Sequence, residues 1–273
     1  MPSISTPSKI AGTKSYGAEV IFSGSTSQER EAVVADIQKK TGALLVPPYD
    51  HPDIILGQGT LALELEEQVN DFLKTDSDLG NASVKSRRLD AVIAPCGGGG
   101  MLSGVATALF GTGTVVFGAE PSFQGADDAK RSLESGKRIE SVKTLTIADG
   151  LRTPVGIWPW SVISDPSKVR AIFSVTETQI KAAMRLVLER MKVVIEPSAA
   201  VPLAVVLFCE DFRRLVEAEA GEDGWNIGVV FSGGNTTVEA IGKLFEDDTV
   251  ALAERATGTV GADGERIAEN VAG

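Results

Sequence analysis

Two patterns of apolar residues alternate along the chain. Short runs of apolar and β-branched residues are typical of buried strands, whereas apolar residues that recur every three or four positions are typical of amphipathic helices. The short runs predict strands over residues 18–22, 43–46, 90–95, 114–118 and 227–231. Because strands and helices follow one another in turn, we predict an α/β fold with a parallel sheet.

Helices are predicted in the intervals between these strands. Ser27 is placed to cap one helix and Gly42 is placed to end it. The apolar stripe of this helix consists of Val33, Val34 and Ile37. Three further helices are predicted from apolar faces made of Leu61, Leu65, Val69 and Phe72, of Leu102, Val105, Ala106 and Leu109, and of Ile180, Met184, Val187, Leu188 and Met191.

Two helix starts carry signals of their own. Thr176 and Gln179 have the spacing of a capping box, in which each side chain bonds the backbone of the other residue. Pro197 stands where the first residue of a helix is often proline. Both signals predict helices in the second half of the chain.

The pattern also suggests a division of the chain. The connection over residues 47–57 is rich in Pro and Asp and is the best candidate for a boundary. Residues 74–88 are polar and aperiodic, which predicts an exposed loop. We therefore predict a first unit over residues 1–56, a main unit over residues 57–245, and a loosely ordered acidic tail over residues 246–273.

Composition and charge exclude several classes of protein. The chain has 273 residues, 43% of them apolar, which is ordinary for a folded domain and argues against disorder as the main state. The net charge is −11, and an acidic chain repels phosphate backbones, so we expect no nucleic-acid or anionic-membrane partner. The longest apolar stretch, residues 198–209, is about half of the ~20 residues that a membrane helix needs. No signal peptide is visible, so the expected location is cytoplasmic.

The few histidines and cysteines remove further mechanisms. His51 is the single histidine, so a site with two histidine ligands is impossible. Cys96 and Cys209 do not make a disulfide framework. A Ser-His-Asp triad would need His51, which lies in a turn-like segment without a nearby nucleophile elbow.

Four consecutive glycines, Gly97, Gly98, Gly99 and Gly100, join a predicted strand to a predicted helix. Glycines allow a sharp turn and a close approach of a ligand, and the amides at a helix start attract anions, so we predict a phosphate site. The alternative is a tight turn without a ligand.

The local pattern limits which phosphate ligand fits. The lysine of a P-loop is missing, because Val105 follows Gly104. The third glycine of a dinucleotide motif is also missing, because Leu102 stands in its place. Glu120 nevertheless follows the next strand, where a ribose-binding acid would stand, so a nicotinamide-dependent oxidoreductase remains an alternative.

Six segments taken together change which phosphate ligand the sequence favours. They resemble the fold-type II pyridoxal-phosphate (PLP) enzymes of the serine racemase and threonine dehydratase group, occur in that family's order, and extend over roughly residues 5–245. The segments are YGAEV at 16–20, GQGTLALE at 57–64, PCGGGGMLSG at 95–104, IADG at 147–150, EPS at 196–198 and SGGN at 232–235.

The resemblance implies a fold and an activity. The fold is the three-layer, parallel-sheet α/β architecture of fold type II, similar to the tryptophan synthase β chain. Residues 1–56 would then be a remnant of the small domain, and residues 57–245 would be the large PLP-binding domain. The implied activity is that of a serine or threonine ammonia-lyase (dehydratase), a serine racemase, or both, on serine, threonine or hydroxyaspartate. The full-length form is expected to be a homodimer.

The resemblance also assigns roles to single residues. It implies that Ser232 faces the pyridine nitrogen, Gly150 lines the cofactor cleft, Glu196 lies near the cofactor face and Arg30 faces the substrate. The phosphate of PLP would be held by Gly97, Gly98, Gly99, Gly100 and the amide of Met101. Other interpretations stay open: Ser232 and Gly150 as turn residues, Glu196 as a helix-dipole partner, and Arg30 as an exposed helix charge.

A divalent cation is implied next to this site. The segment over residues 120–128 resembles one in which the serine racemase branch holds a cation, with Glu120, the Ala126 carbonyl and Asp128 as ligands. An oxygen-only set suits Mg²⁺ or Ca²⁺. The loop is two residues longer than that of the family, so Asp127 is an alternative to Asp128. A solvated acidic helix start is the alternative to a cation site.

Parts of the family pattern are missing from this sequence. It contains neither the S-x-K-x-R segment with the Schiff-base lysine nor the S-x-G-N-H loop. Lys9 and Lys14 precede the YGAEV segment and are interpreted as charges on a helix surface. Pro47 stands where the family often has histidine. We therefore expect an N-terminally truncated form that is inactive as given, or a non-catalytic subunit that binds PLP, another anion or a partner chain.

Overall fold

A parallel sheet forms the centre of the computed structural model, which describes residues 1–5, 7–24, 27–75 and 88–246. In the described residues this sheet has four strands in the order β3-β2-β1-β4, and every neighbouring pair is parallel. The strands are β1 (Ala91–Pro95), β2 (Val115–Pro121), β3 (Ala171–Val175) and β4 (Ile227–Val229). The parallel-sheet α/β fold predicted from the sequence is thus confirmed.

Three predicted strands are confirmed, and two are wrong. The predicted strands over residues 90–95, 114–118 and 227–231 correspond to β1, β2 and β4. Residues 18–22 and 43–46 are not strands, since a strand needs a neighbour to pair with and these residues form no ladder in the described part of the chain. The sequence analysis also missed β3.

The helices follow the predicted pattern more closely. The capping box is present, with the Thr176 hydroxyl accepting from the Gln179 N–H at 3.3 Å and the Gln179 side-chain oxygen Oε1 accepting from the Thr176 N–H at 2.9 Å. Gly42 follows α2 with a φ of 71°, as expected for a glycine that ends a helix. The helices of the described residues are α1 (Pro7–Ser15), α2 (Ser27–Thr41), α3 (Pro52–Thr75), α4 (Gly100–Ala108), α5 (Asp128–Ser135), α6 (Ile157–Ile163), α7 (Glu177–Leu186) with a π-helical turn (Val187–Met191), α8 (Pro197–Phe208), α9 (Glu210–Ala220) and α10 (Val238–Leu244).

Helices cover both faces of the sheet because successive side chains of each strand point to opposite faces. Val92 and Ala94 of β1 belong to an apolar cluster with the side chains of α4. Phe117 of β2 points to the other face, where its ring makes an edge contact with Phe212 of α9 at 5.3 Å. Parallel strands are usually buried on both faces in this way, which gives three layers.

The chain divides into two compact units, Met1–Asn235 and Thr236–Gly273. The sheet and every site residue discussed below lie in the first unit. In the second unit the Thr237 hydroxyl caps α10 by accepting from the Ala240 N–H at 3.1 Å. The predicted boundary after residue 56 stays a prediction. The predicted tail beyond residue 246 and most of the predicted loop over residues 74–88 lie outside the described residues.

None of the helices in the described ranges combines the length and the apolar character that a bilayer span requires.

Two glycines bring α3 and α4 into close contact. A Cβ on Gly59 would lie 2.8 Å from the Gly104 carbonyl oxygen, and a Cβ on Gly104 would overlap the backbone of Ile55 and Gly59. The backbones of the two helices therefore approach each other directly. This contact positions α4, and with it the loop that precedes α4.

We expect Gly104→Ala to lower the free energy of unfolding by about 1–3 kcal/mol, because the added methyl group meets backbone that cannot rotate away. Gly57→Ala is the matched control on α3, since a Cβ there meets nothing within 4 Å. Removing glycine from an open helix position stabilises by about 0.5–1 kcal/mol. Urea unfolding of both variants measures the difference, and equal stabilities would contradict the proposed contact.

Candidate active site

The candidate site lies at the carboxyl end of β1, where the chain turns into α4. β1 ends at Pro95 and α4 begins at Gly100, so residues 96–99 make the turn. The neighbours of β1 in the sheet, β2 and β4, lie on opposite sides of it. In open parallel sheets, ligands bind in the crevice at such a switch point.

Each glycine of the turn is approached by a different part of the protein. A Cβ on Gly97 would lie 2.9 Å from the Cα of Leu151, and a Cβ on Gly98 would overlap the ring of Tyr49. Gly99 has a φ of 86°, and a Cβ there would lie 2.9 Å from two side chains of α6. The turn can therefore take this path only if residues 97–99 have no side chains.

The amino end of α4 has the properties of an anion site. No side chain caps this end of the helix. The first amides of a helix have no partner within the helix, and the helix dipole makes this end positive. A phosphate group is the ligand that such an end commonly binds.

A cleft of about 1130 Å³ opens beside the glycine turn. Ligand pockets commonly measure roughly 300–1,000 Å³, so this cleft has room for a cofactor together with a small substrate. The structure brings together in its lining the residues predicted for cofactor and substrate, namely Arg30, Gly97, Gly98, Gly99, Gly100, Met101, Gly150, Glu196 and Ser232. The roles of these residues stay predictions.

Two residues that the sequence analysis missed, Tyr49 and Asp50, hold the connection before α3 against the site. The Asp50 carboxylate accepts from the N–H of Ile157 at 3.0 Å and from the N–H of Trp158 at 2.8 Å. Asp50 therefore caps α6, which begins at Ile157. An acidic residue in a turn-like segment was visible in the sequence, but the helix that it caps lies more than 100 positions away.

The half-buried ring of Tyr49 covers the glycine turn from the side of the cleft. Burial raises the pKa of the phenol, the Asp50 charge raises it further, and the charges of Arg30 and Arg138 lower it. The net shift is upward, so Tyr49 keeps its proton at neutral pH. It can therefore donate a hydrogen bond to a ligand in the cleft.

Glu196 stands at the start of α8 with its side chain half-buried. Its N–H donates to the Gly233 carbonyl at 3.0 Å, which joins α8 to the segment after β4. Burial raises the pKa of its carboxyl group, and the nearby Asp149 charge raises it further. The Lys9 ammonium and a backbone N–H of Asn235 lower the same pKa.

Glu120 and Asp128 form a buried acidic pair behind the glycine turn. The Glu120 carboxylate accepts from the N–H groups of Ala129 and Lys130, each at 2.9 Å. Burial, followed by the charge of Asp128, raises the pKa of Glu120 well above its ordinary value. Burial also raises the pKa of Asp128 to about 6. Val155 donates its N–H to the Asp128 carboxylate at 3.0 Å.

The two aspartates at the start of α5 point to different partners. The Asp127 carboxylate pairs with Arg131 at 2.9 Å. Asp128 is buried and acts electrostatically on Glu120. The cation set predicted from Glu120, the Ala126 carbonyl and Asp128 contains two acidic side chains, and in the part of the chain that the structure describes no group of three or more His, Cys, Asp or Glu could hold a metal.

One further prediction is corrected by these contacts. Glu120 cannot act as a ribose-binding acid, because its carboxylate is buried against the start of α5 and does not line the cleft. Lys9 lies on α1 with its side chain about one third exposed, and its Nζ donates to the Asp149 carboxylate at 2.6 Å. Lys14 is exposed, as expected.

Comparison with known proteins identifies close relatives of this fold. Residues 1–233 match the family of pyridoxal-phosphate dependent enzymes. Serine racemase of Arabidopsis thaliana is 36% identical over 238 residues, which cover 87% of this chain and 65% of that protein. The β-hydroxyaspartate dehydratase of Paracoccus denitrificans is 35% identical over 241 residues, which cover 88% of this chain and 68% of that protein.

A solved structure extends the likeness to three dimensions. Maize serine racemase superposes with a TM-score of 0.74 and is 35% identical, covering 93% of this chain and 70% of that one. The fold-type II architecture predicted from the sequence is thereby confirmed. The chain spans about two thirds of the length of the curated relatives that it matches.

We expect Gly98→Ala to lower the free energy of unfolding by about 1–3 kcal/mol, because the methyl group overlaps the ring of Tyr49. In a Tyr49→Ala background the same change should lose most of this effect, with a coupling energy of at least about 1 kcal/mol. Urea unfolding of the wild type, the two single variants and the double variant measures the coupling. Additive effects would show that the ring does not cover this glycine.

Proposed function

This chain belongs to the family of pyridoxal-phosphate dependent enzymes, and we propose that it forms the PLP-binding part of an enzyme acting on a small hydroxy-amino acid. One observation carries the proposal: a run of four glycines at the switch point of the sheet forms the turn and the first residue of α4, whose amino end no side chain caps. The glycines fit the group because a turn without side chains lets a phosphate approach its backbone amides closely.

Each residue of the cleft receives a role in this proposal. Gly97, Gly98, Gly99, Gly100 and the amide of Met101 would hold the phosphate. Ser232 would face the ring nitrogen, and a hydroxyl is too weak an acid to protonate it fully. Gly150 would line the cleft beside the ring, Glu196 would lie near the cofactor face, and Arg30 on α2 would face the substrate carboxylate.

The chemistry follows from the cofactor and from the walls of the cleft. When bound, PLP supplies an electron sink for the charge left on Cα after proton loss. A hydroxyl beside the ring nitrogen keeps that sink moderate, which suits elimination and racemisation. The Tyr49 phenol retains its proton and could donate to a substrate oxygen from the side of the glycine turn.

We propose serine, threonine or hydroxyaspartate as the substrate of the whole protein. The reaction would expel the β-hydroxyl group and release ammonia and a 2-oxo acid, or return a proton to the opposite face of Cα. The two kinds of relative support this range, since one is a serine racemase and the other a hydroxyaspartate dehydratase. Production of a 2-oxo acid, measured by coupled reduction, and of D-serine, measured by chiral chromatography, distinguishes the two outcomes.

A non-catalytic binding role is the second candidate. The sequence contains no S-x-K-x-R segment, and Lys9 forms an ion pair with Asp149. A chain that binds PLP without turnover of serine or hydroxyaspartate would have this role, whereas measurable turnover would exclude it.

We also propose a divalent cation, Mg²⁺ or Ca²⁺, held by Glu120, the Ala126 carbonyl and Asp128. The donor set fits, because two buried carboxyl groups repel each other and both have raised pKa values. A cation between them would offset the repulsion, and oxygen ligands suit either ion. Asp128 is preferred to Asp127, because Asp127 already pairs with Arg131.

The complete protein is proposed to be a homodimer, as the resemblance implies. Three neighbouring apolar side chains, those of Met191, Val193 and Val194, are exposed in this chain and support an interface. The cytoplasmic location and the expected absence of nucleic-acid and membrane partners stay predictions.

We expect Gly99→Ala to weaken binding of pyridoxine 5′-phosphate, which has the phosphate and ring of PLP but no aldehyde to react with surface lysines. The expected loss is about tenfold, or about 1.4 kcal/mol, because the substitution strains a positive φ and pushes against α6. Gly111→Ala is the matched control, since its φ of 83° imposes similar strain but a Cβ there meets nothing within 4 Å. Calorimetric titration measures both, and equal affinities would contradict the proposed phosphate site.

We expect Mg²⁺ or Ca²⁺ to raise the melting temperature of the chain and Asp128→Asn to abolish the increase. The asparagine oxygen can still accept from Val155, and the substitution removes repulsion with Glu120, so the metal-free variant should not melt earlier. Asp127→Asn should keep the increase. Thermal melts with and without the ion test this, and an increase retained by Asp128→Asn would refute the assigned ligands.

A further inference from the structure

We infer that Lys9 is a positioning residue of the proposed cofactor site, because its ammonium ties α1 to the turn that carries Gly150. The inference rests on the proposed function, and it assigns a role to the amino-terminal helix that the glycine turn alone does not explain. The contact joins residues that are 140 positions apart, with Lys9 Nζ donating to Asp149 Oδ2 at 2.6 Å.

Apolar packing holds α1 only weakly, because its apolar side chains all stay at least partly exposed. None of the side chains of this helix, Pro7–Ser15, is buried. The Lys9–Asp149 pair is about one third exposed on each side, so water screens it only partly. The Lys9–Asp149 bond is therefore a charge-assisted contact that helps to hold α1 against the rest of the unit.

The turn that receives this bond touches the site on two sides. Gly150 follows Asp149 and donates its N–H to the Ser198 hydroxyl at 3.0 Å, at the start of α8. The Gly150 carbonyl oxygen would lie 3.0 Å from a Cβ on Gly97, so the turn also packs against the glycine loop. A displacement of Asp149 would therefore disturb the packing both at the start of α8 and at the phosphate-binding turn.

The pair also acts on the charge of the cleft. Glu196 lines the cleft, and the charged groups that act on it are Asp149, which raises the pKa of its carboxyl group, and Lys9, which lowers that pKa. The N–H of Asn235 lowers it as well. If Lys9 is made neutral, the pKa of Glu196 rises further. An anionic ligand binds better when Glu196 is protonated. As the pH is lowered, the affinity of the variant for this ligand should therefore begin to improve at a higher pH than that of the wild type.

The first measurement is binding of pyridoxine 5′-phosphate to the full chain by calorimetry, over a range of pH. We expect Lys9→Met to weaken binding by about fivefold at pH 7.5. The pH at which affinity improves should move upward in this variant, and Lys9→Arg should restore both properties. Lys14→Met, on the same helix and exposed, is the matched control and should behave as the wild type.

The second measurement is amide hydrogen exchange at Gly150 in the ligand-free chain. Lys9→Met should accelerate this exchange, and Lys14→Met should not, because only the first variant releases the turn. If the wild type does not bind the ligand, the proposed function fails while the exchange still tests the tie. If Lys9→Met matches Lys14→Met in affinity, pH dependence and exchange, the inference is overturned.

Discussion

The close approach of other segments to the turn between β1 and α4 is the constraint on which the site depends. Tyr49 from the connection before α3, Leu151 from the turn after Asp149, and the side chains of α6 each take the space where a Cβ would stand. These segments are distant in sequence. Glycine is required here because the backbone itself must be the surface against which three parts of the chain pack. The same lack of side chains leaves the amides of the turn open to an anion.

Sequence patterns predicted the parts of the fold that depend on local signals. The strand leading to Pro95, the helix after it and the capping box at Thr176 each carry their signal within a few residues. Residues 18–22 and 43–46 have strand-like composition but no ladder, because composition does not supply a pairing partner.

The residues of the candidate site also divide into those with a local sequence signal and those that depend on distant contacts. The resemblance pointed to Arg30 and to residues of the short motifs, such as Gly97 and Glu196, and these residues line the cleft. The roles of Tyr49, Asp50 and Lys9 could not be predicted, because each depends on a contact with a distant segment. Asp128 and Asp127 are adjacent in sequence, and only the fold buries one against the Val155 N–H and pairs the other with Arg131.

The capping of α6 by Asp50 links the order of this helix to the assembly of the cleft wall. A helix of seven residues is too short to be stable alone, and the groups that complete its first turn belong to Asp50. The order of α6 thus depends on the connection before α3 staying in place, and α6 in turn supplies the side chains behind Gly99. The helicity of residues 157–163 therefore measures whether the cleft wall is assembled.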